Sequence, residues 1–300
     1  FVGEVAVLST CSFQSALPPA GFHGQLLTNA SNRITASGGY YTLCWNSARD
    51  TSNITVDADI GVFQTALGQL FVLGPAPLAQ DRSCISGQTC SLSGFQGRGL
   101  SLSDEIRVMD TCGVESAVPR APQAGHFSQV SESGASVNWG RVAITAAGGQ
   151  YRLCWRSGTI ELNGPLAIST ADTPSIEFAV DIGKLDILGP APLEQERTCV
   201  SGQTCMLTGI NGYELSNADR WRVLDTCGVP SAPYGIGTDL VVASGMNWVW
   251  ESTLSTSGGE YRLCWCHGTT PNSAQSTGNI TNSFTNSNTS HVGNQSLESQ

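Results

Sequence analysis

The residues of this 300-residue chain best suited to covalent chemistry are its eleven cysteines, and their spacing calls for disulfides. Cys84 and Cys90 stand six residues apart, as do Cys199 and Cys205, each pair enclosing Ser-Gly-Gln-Thr, a length that suits a small local staple. Cys11, Cys112 and Cys227 precede Cys44, Cys154 and Cys264 by 33, 42 and 37 residues. The pairing that repeats along the chain is therefore Cys11–Cys44, Cys112–Cys154 and Cys227–Cys264. By loop-closure entropy each long bridge contributes about 4 kcal/mol and each staple about 2. Cys266 is left over, either as a buried or modified thiol or as half of a bridge to another chain or another stretch of this one. Metal is the poorer use of these thiols, because no Cys-x-x-Cys pair occurs and the four histidines are scattered.

Other chemistry finds little support. His23, His126, His267 and His291 fall at unmatched places, and no metalloprotease helix, nucleophile elbow or glycine-rich phosphate loop occurs. Asp57 with Asp59, and Asp181 with Asp186, are carboxylates that could meet Ca²⁺, but they lack any loop spacing known to bind it. No cofactor and no catalytic residue is expected. Trp45, Trp155 and Trp265 lie in a recurring strand and read as core or interface residues, whereas Trp248 and Trp250 offer an exposed face on which a sugar ring could stack. Asn29, Asn53, Asn279, Asn288 and Asn294 each open an Asn-x-Ser/Thr acceptor for N-glycans.

The elements that must position these residues repeat. Gly38-Gly39-Tyr40-Tyr41-Thr42-Leu43-Cys44-Trp45 recurs as Gly148-Gly149-Gln150-Tyr151-Arg152-Leu153-Cys154-Trp155 and as Gly258-Gly259-Glu260-Tyr261-Arg262-Leu263-Cys264-Trp265, a constant step of 110. A second block, Gly68-Gln69-Leu70-Phe71-Val72-Leu73-Gly74-Pro75-Ala76-Pro77-Leu78, returns 115 residues later as Gly183-Lys184-Leu185-Asp186-Ile187-Leu188-Gly189-Pro190-Ala191-Pro192-Leu193. The cysteine staples and Asp-Thr-Cys-Gly at 110–113 and 225–228 keep that second step, so the length difference falls between Cys112 and Cys154, as in a loop. A long, locked period means an array of whole domains. The copies divide as 1–67, the back half of one module; 68–182, a complete one; and 183–268, a third. Residues 269–300 form a Ser/Thr/Asn-rich linker or stalk, too polar to bury a core and open to O-glycans as well.

Within a copy, alternation of period two and frequent Gly, Pro and Ser turns predict an all-β fold: disulfide-stapled, Ig-like β-sandwich modules in tandem with a polar tail. Strand-like stretches follow the signature at Ile176-Glu177-Phe178-Ala179-Val180 and around Val62-Phe63. Nothing comparable follows Cys266, so the third module is expected to lack its last strand, and neighbouring copies to complete one another by strand addition.

The net charge of −10 excludes nucleic acid and anionic membrane surfaces as partners, and no apolar run is long enough for a membrane span. Dense cysteines with 13% charged residues place the chain in the secretory pathway, outside the cell or on its surface. Phe1 opens inside a copy, which is expected of a segment of a longer secreted product.

The signature at 258–266, ending Cys264-Trp265-Cys266, together with Leu-Gly-Pro-Ala-Pro-Leu at 188–193 and Cys-Val-Ser-Gly-Gln-Thr-Cys at 199–205, resembles a cysteine-rich tandem repeat of very large secreted or surface proteins of alveolate protists, dinoflagellates above all. The resemblance covers residues 1 to about 268. Asn46 and Arg156 replace the final cysteine in the first two copies. It implies an extracellular, repetitive protein akin to the filaments of flagellar hairs (mastigonemes). The expected function is that of a non-enzymatic structural glycoprotein forming or decorating a filament or coat, its partners being copies of itself or related repeat proteins and its own glycans. The alternative is an adhesin or lectin-like array that binds glycans through exposed aromatics and variable loops.

Overall fold

The computed structural model describes residues 3–8, 11, 35–47, 65–158, 178–229, 241–242, 247–250 and 252–268. Among them the regular structure is almost entirely β, with one 3-10 turn at Pro122–Gly125. The signature block forms a strand each time: β2 (Gly39–Ser47), β11 (Gly149–Arg156) and β18 (Arg262–Cys266).

The second copy is the most complete. β11 lies antiparallel between β8 (Glu105–Met109) and β12 (Val180–Pro190), with Cys154 opposite Arg107 on one side and Asp181 on the other. The far edge of β12 pairs in parallel with β5 (Arg82–Ile85), Leu185 opposite Arg82 and Leu188 opposite Ile85. A second sheet runs β6 (Gln88–Ser93), β10 (Ser136–Ile144), β9 (Gln129–Val130). Both sheets feed one core: Leu92, Val137, Trp139 and Ile144 from β6 and β10 meet Val108, Leu153, Leu185 and Ile187 from the other sheet. The alternation along β12 explains its place. Leu185 and Ile187 are fully buried, while Lys184, Asp186 and Leu188 between and beside them are only partly covered.

The first copy repeats half of this. β2 lies antiparallel between β1 (Gly3–Leu8) and β3 (Thr65–Val72). The β2–β3 ladder carries the same bulge as β11–β12. Leu43 faces Gly68 and Cys44 faces Ala66, leaving Leu67 unmatched, just as Leu153 faces Gly183 and Cys154 faces Asp181, leaving Ile182.

In the third copy, β13 (Cys205–Leu207) pairs with β17 (Trp248–Trp250), which also takes β16 (Val241–Val242), and β15 (Arg220–Leu224) pairs with β18. A separate core forms there from Leu207, Ile210, Trp221, Trp248, Trp250 and Leu254. The Gly-Pro ends of the linking strands are paired too: β4 (Gly74–Pro75) with β7 (Gly97–Arg98), and Gly189-Pro190 of β12 with β14 (Gly212–Tyr213).

β12 thus crosses the 182/183 division drawn from the sequence. Within the Leu-x-Ile-Leu-Gly-Pro block, placed there at the opening of 183–268, Leu185, Asp186 and Ile187 pair with Tyr151, Gln150 and Gly149 of the signature strand of 68–182. The reason is burial: Leu185 and Ile187 cover the core beneath β11 rather than the core that follows them.

Candidate functional site at the joints

Five disulfides fasten the described residues: Cys11–Cys44, Cys84–Cys90, Cys112–Cys154, Cys199–Cys205 and Cys227–Cys264, with Cα–Cα distances of 5.4 to 5.7 Å. The long ones hold the signature strand to the segment after its neighbour, and the short ones close the turn between β5 and β6 and its counterpart. Cys266, at the end of β18, is unbridged and exposed, which removes the buried alternative for its thiol.

The polar constellations serve local structure. The carboxylate of Asp219, wholly buried, accepts from Ser216 N–H (3.0 Å), Trp265 Nε1 (3.0 Å) and Gly268 N–H (3.1 Å), and lies 3.0 Å from His267 Nδ1. This Asp-His pair invites a catalytic reading, but its counterpart Asp104 holds Ser101 N–H (2.9 Å) and Gly158 N–H (3.2 Å) with Ser157 where His267 stands. A carboxylate that ties the loop before one strand to the end of another in both copies is a clamp. His126 stands edge-on to Phe178, 4.0 Å from Glu105. Burial, with the nearby Arg107 guanidinium, holds its pKa below the usual imidazole range. Arg156 lies over the same Phe178 ring and pairs with Glu105 at 2.6 Å.

Asp181 is taken by Arg152 (2.6 Å) and Gly183 N–H, and Asp186 accepts from Tyr213 Oη, so the two carboxylates are engaged separately. No group of three or more metal-ligating side chains occurs among the described residues. Trp248 and Trp250 are 0% and 3% exposed, which corrects the expectation of a sugar-stacking face on these residues. They alternate with Val249 on β17 so that both rings enter the core, Trp248 against Trp221 at 4.1 Å. Asn29, Asn53, Asn279, Asn288 and Asn294 lie outside the described residues, as do Asp57, Asp59, His23 and His291.

What the fold does bring together is a joint, built twice. The carbonyl oxygen of Gly189 lies where a Cβ on Gly148 would sit 2.0 Å away and one on Gly212 2.6 Å away. The same holds for Gly74 against Gly38 (2.1 Å) and Gly97 (2.6 Å). Gly74 and Gly189 have φ of +145° and +150°, a backbone that glycine adopts readily. Across each crossing one further bond is made, from Gly38 N–H to Pro75 O and from Gly148 N–H to Pro190 O, both 2.9 Å.

Beyond the crossing, Gln80 and Gln195 do the same work. Each side-chain amide donates to Pro77 O and Gln96 O, or Pro192 O and Asn211 O, and each accepts from the N–H of residue 96 or 211. Trp155 packs against Gly74 and Trp265 against Gly189, so the signature tryptophan of one copy meets the linking strand of the copy before it. The signature tyrosines fix the approach: Tyr41, Tyr151 and Tyr261 each donate to the carbonyl four residues back, at 2.5, 3.0 and 2.9 Å.

The sequence reading missed the roles of Gly38, Gly97, Gly148, Gly212, Gln80 and Gln195. The signal was present in Gly-Pro-Ala-Pro-Leu and Gly-Gly-x-Tyr recurring together, but nothing in one dimension says that the two meet. No helix among the described residues is long and apolar enough to cross a membrane. No protein-family model matches the chain, and no curated protein matches it.

Proposed function

We propose that this chain is a non-enzymatic structural glycoprotein of the extracellular space, a string of Ig-like modules that builds or decorates a filament or coat. The observation that carries this is the joint: one strand closes the sheet of one copy and, through its Gly-Pro end, pairs with the edge of the next. A linkage made of backbone ladder and glycine crossings transmits load and fixes orientation, which a flexible tether does not.

Ig-like architecture is supported by strand order. The β8–β11–β12 sheet with β5 alongside, facing β6–β10–β9, follows the C-F-G plus A and B-E-D arrangement of that fold. On this plan a module ends at its linking strand, near residues 75 and 190, and the Gly-Pro crossings fall at module boundaries. Five bridges suit an oxidising compartment. The kinship with alveolate surface repeats and mastigoneme filaments belongs to the same proposal.

Electron microscopy of native material tests it. Filaments or coats with a regular axial repeat, labelled by antibody to this chain, are the expected outcome, and isolated flexible rods refute the filament reading.

A further inference from the structure

We propose that the third copy holds an open strand place between β18 and residues 197–200, and that the occupant is an extended Leu-x-Ile-Leu-Gly-Pro strand carried by another chain of the same repeat. The inference deepens the filament reading and rests on its module plan.

The second copy displays the filled place. β12 enters antiparallel to β11 and parallel to β5, buries Ile182, Leu185 and Ile187 completely, and accepts from Gln80 N–H through Ile182 O (2.7 Å) and from Ser86 N–H through Leu188 O (2.9 Å). In the third copy the walls stand without it. Among the described residues β18 pairs with β15 alone, residues 197–200 belong to no strand, and the N–H groups of Gln195 and Ser201 have no backbone acceptor.

Loss of cover is confined to that side. Cys84 and Ser86 are 5% and 7% exposed, whereas Cys199 and Ser201 are exposed and Val200 is 56% so. Val108 and Leu153 are fully buried, whereas Val223 and Leu263 are half-buried. On the far side Leu207, Ile210 and Trp221 are as buried as Leu92, Phe95 and Ile106.

The turn that receives the strand is nevertheless built. Gly202 N–H donates to Leu254 O and Ser201 Oγ to Thr256 O, matching Gly87 to Ile144 and Ser86 to Ala146. Among the described residues these ready-made walls hold no strand between them.

The chemistry of the occupant follows from β12. It is apolar at every second residue, and its bulge carries glycine because a Cβ on Gly183 would lie 2.7 Å from the Gln80 backbone. The interval from signature cysteine to bulge glycine is 24 residues in the first copy (Cys44 to Gly68) and 29 in the second (Cys154 to Gly183); counted from Cys264, these put Ser290 or Gln295 where Leu185 is fully buried, and Asn294-Gln295 or Ser299-Gln300 in place of Gly189-Pro190. A hydroxyl or an amide without a partner in an apolar wall is penalised, so residues 288–300 suit the slot at neither spacing, whereas an apolar strand of the β12 kind does.

The test uses the full chain and a labelled synthetic peptide of residues 178–192. Saturable binding is expected, weakened at least tenfold when the peptide carries Ile182→Asp, Leu185→Asp and Ile187→Asp, and weakened likewise by Val200→Asp in the protein, a residue exposed enough to leave folding intact. Amide exchange at Gln195 and Ser201 should slow at least tenfold on binding. Register is read by trapping. Trp155 pairs with Val180, so Cys266 falls opposite the position of Ala179. An Ala179→Cys peptide bearing its thiol as an activated mixed disulfide should be attacked by the Cys266 thiolate. The new S–S bond forms as the leaving thiolate departs, while an Ile187→Cys peptide should react poorly.

Equal binding of native and Asp peptides overturns the inference, as does slow exchange at Gln195 and Ser201 before peptide is added, which would mean the chain fills its own slot. Regular native filaments with no peptide binding sink this inference alone. Peptide capture with isolated rods in the microscope sinks the filament reading alone.

Discussion

The glycine crossings can be tested by one substitution made three times. Gly148→Ala places a Cβ 2.0 Å from Gly189 O, and Gly38→Ala one 2.1 Å from Gly74 O, whereas Gly258→Ala meets nothing within 4 Å. None of the three has a left-handed backbone, so contact alone separates them. At the first two sites the linking strand must retreat by more than about 1 Å to reach ordinary van der Waals distance. The Gly148 N–H to Pro190 O bond at 2.9 Å is then stretched or lost.

The bond is worth about 1 kcal/mol and displaced packing about 1–3. Set against these, Gly→Ala gains about 0.4–1 kcal/mol by restricting the unfolded chain. The net expectation is a loss of about 2–3 kcal/mol for Gly148→Ala and Gly38→Ala, and a small gain for Gly258→Ala. Scanning calorimetry under non-reducing conditions should register a fall on the order of 10 °C in the transition of the affected copy. A Gly258→Ala loss equal to that of Gly148→Ala would show that the glycine serves its own turn, and the joint would lose its physical basis.

Removing Cys112 and Cys154 together by serine substitution should cost about 4 kcal/mol and removing Cys84 with Cys90 about 2, measured by denaturant unfolding of the oxidised protein. Because His126 titrates below its unfolded value of about 6.5, the unfolded chain binds its proton first as pH falls; its contribution is fully present above that pH and declines toward the folded pKa. His126→Asn should therefore flatten the fall in stability as pH drops below about 6.5, and an unchanged slope would count against the half-buried imidazole. Trp248→Ala, a fully buried ring, should cost about 3–5 kcal/mol in the third copy with no selective loss of glycan binding on an array. Gly183→Ala, with its positive φ and a 2.7 Å contact to the Gln80 backbone, should destabilise; Gly68→Ala, with nothing within 4 Å, should not.

The β class, the recurring strands and the bridged cysteines were legible because they depend on short periods and fixed spacings: Tyr151, Leu153 and Trp155 alternate, and the pairs 84–90 and 199–205 can close only small loops. Phase was not legible. A run such as Leu185-Asp186-Ile187-Leu188 has one buried face, but the sequence does not say whether that face serves the core before it or after it. The ladder to β11 decides. Trp248 and Trp250 were misplaced for a related reason. Two tryptophans separated by one residue signal a strand with a heavy face, and only the β13 and β16 neighbours turn that face inward.

Gly68 and Gly183 bring the open ends into one frame. Both sit after the same bulge, yet only Gly183 is pressed by a neighbouring backbone, that of Gln80 and Asp81. At Gly68 nothing lies within 4 Å and the adjacent Leu67 is 56% exposed against 0% for Ile182, so among the described residues the outer edge of β3 carries no segment of the 80–85 kind. The third copy is the converse, with a segment of that kind at 195–200 and, among the described residues, no strand beside it. The two edges are complementary in type, but β3 is already committed to β2 over seven residue pairs, and β18 to β15 over five. Docking them intact would join β3 to 197–200 and leave β18 no place beside it. A strand that fills the third copy must therefore arrive uncommitted to a signature strand of its own, which distinguishes donation of a free linking strand from simple edge-to-edge stacking of finished sheets.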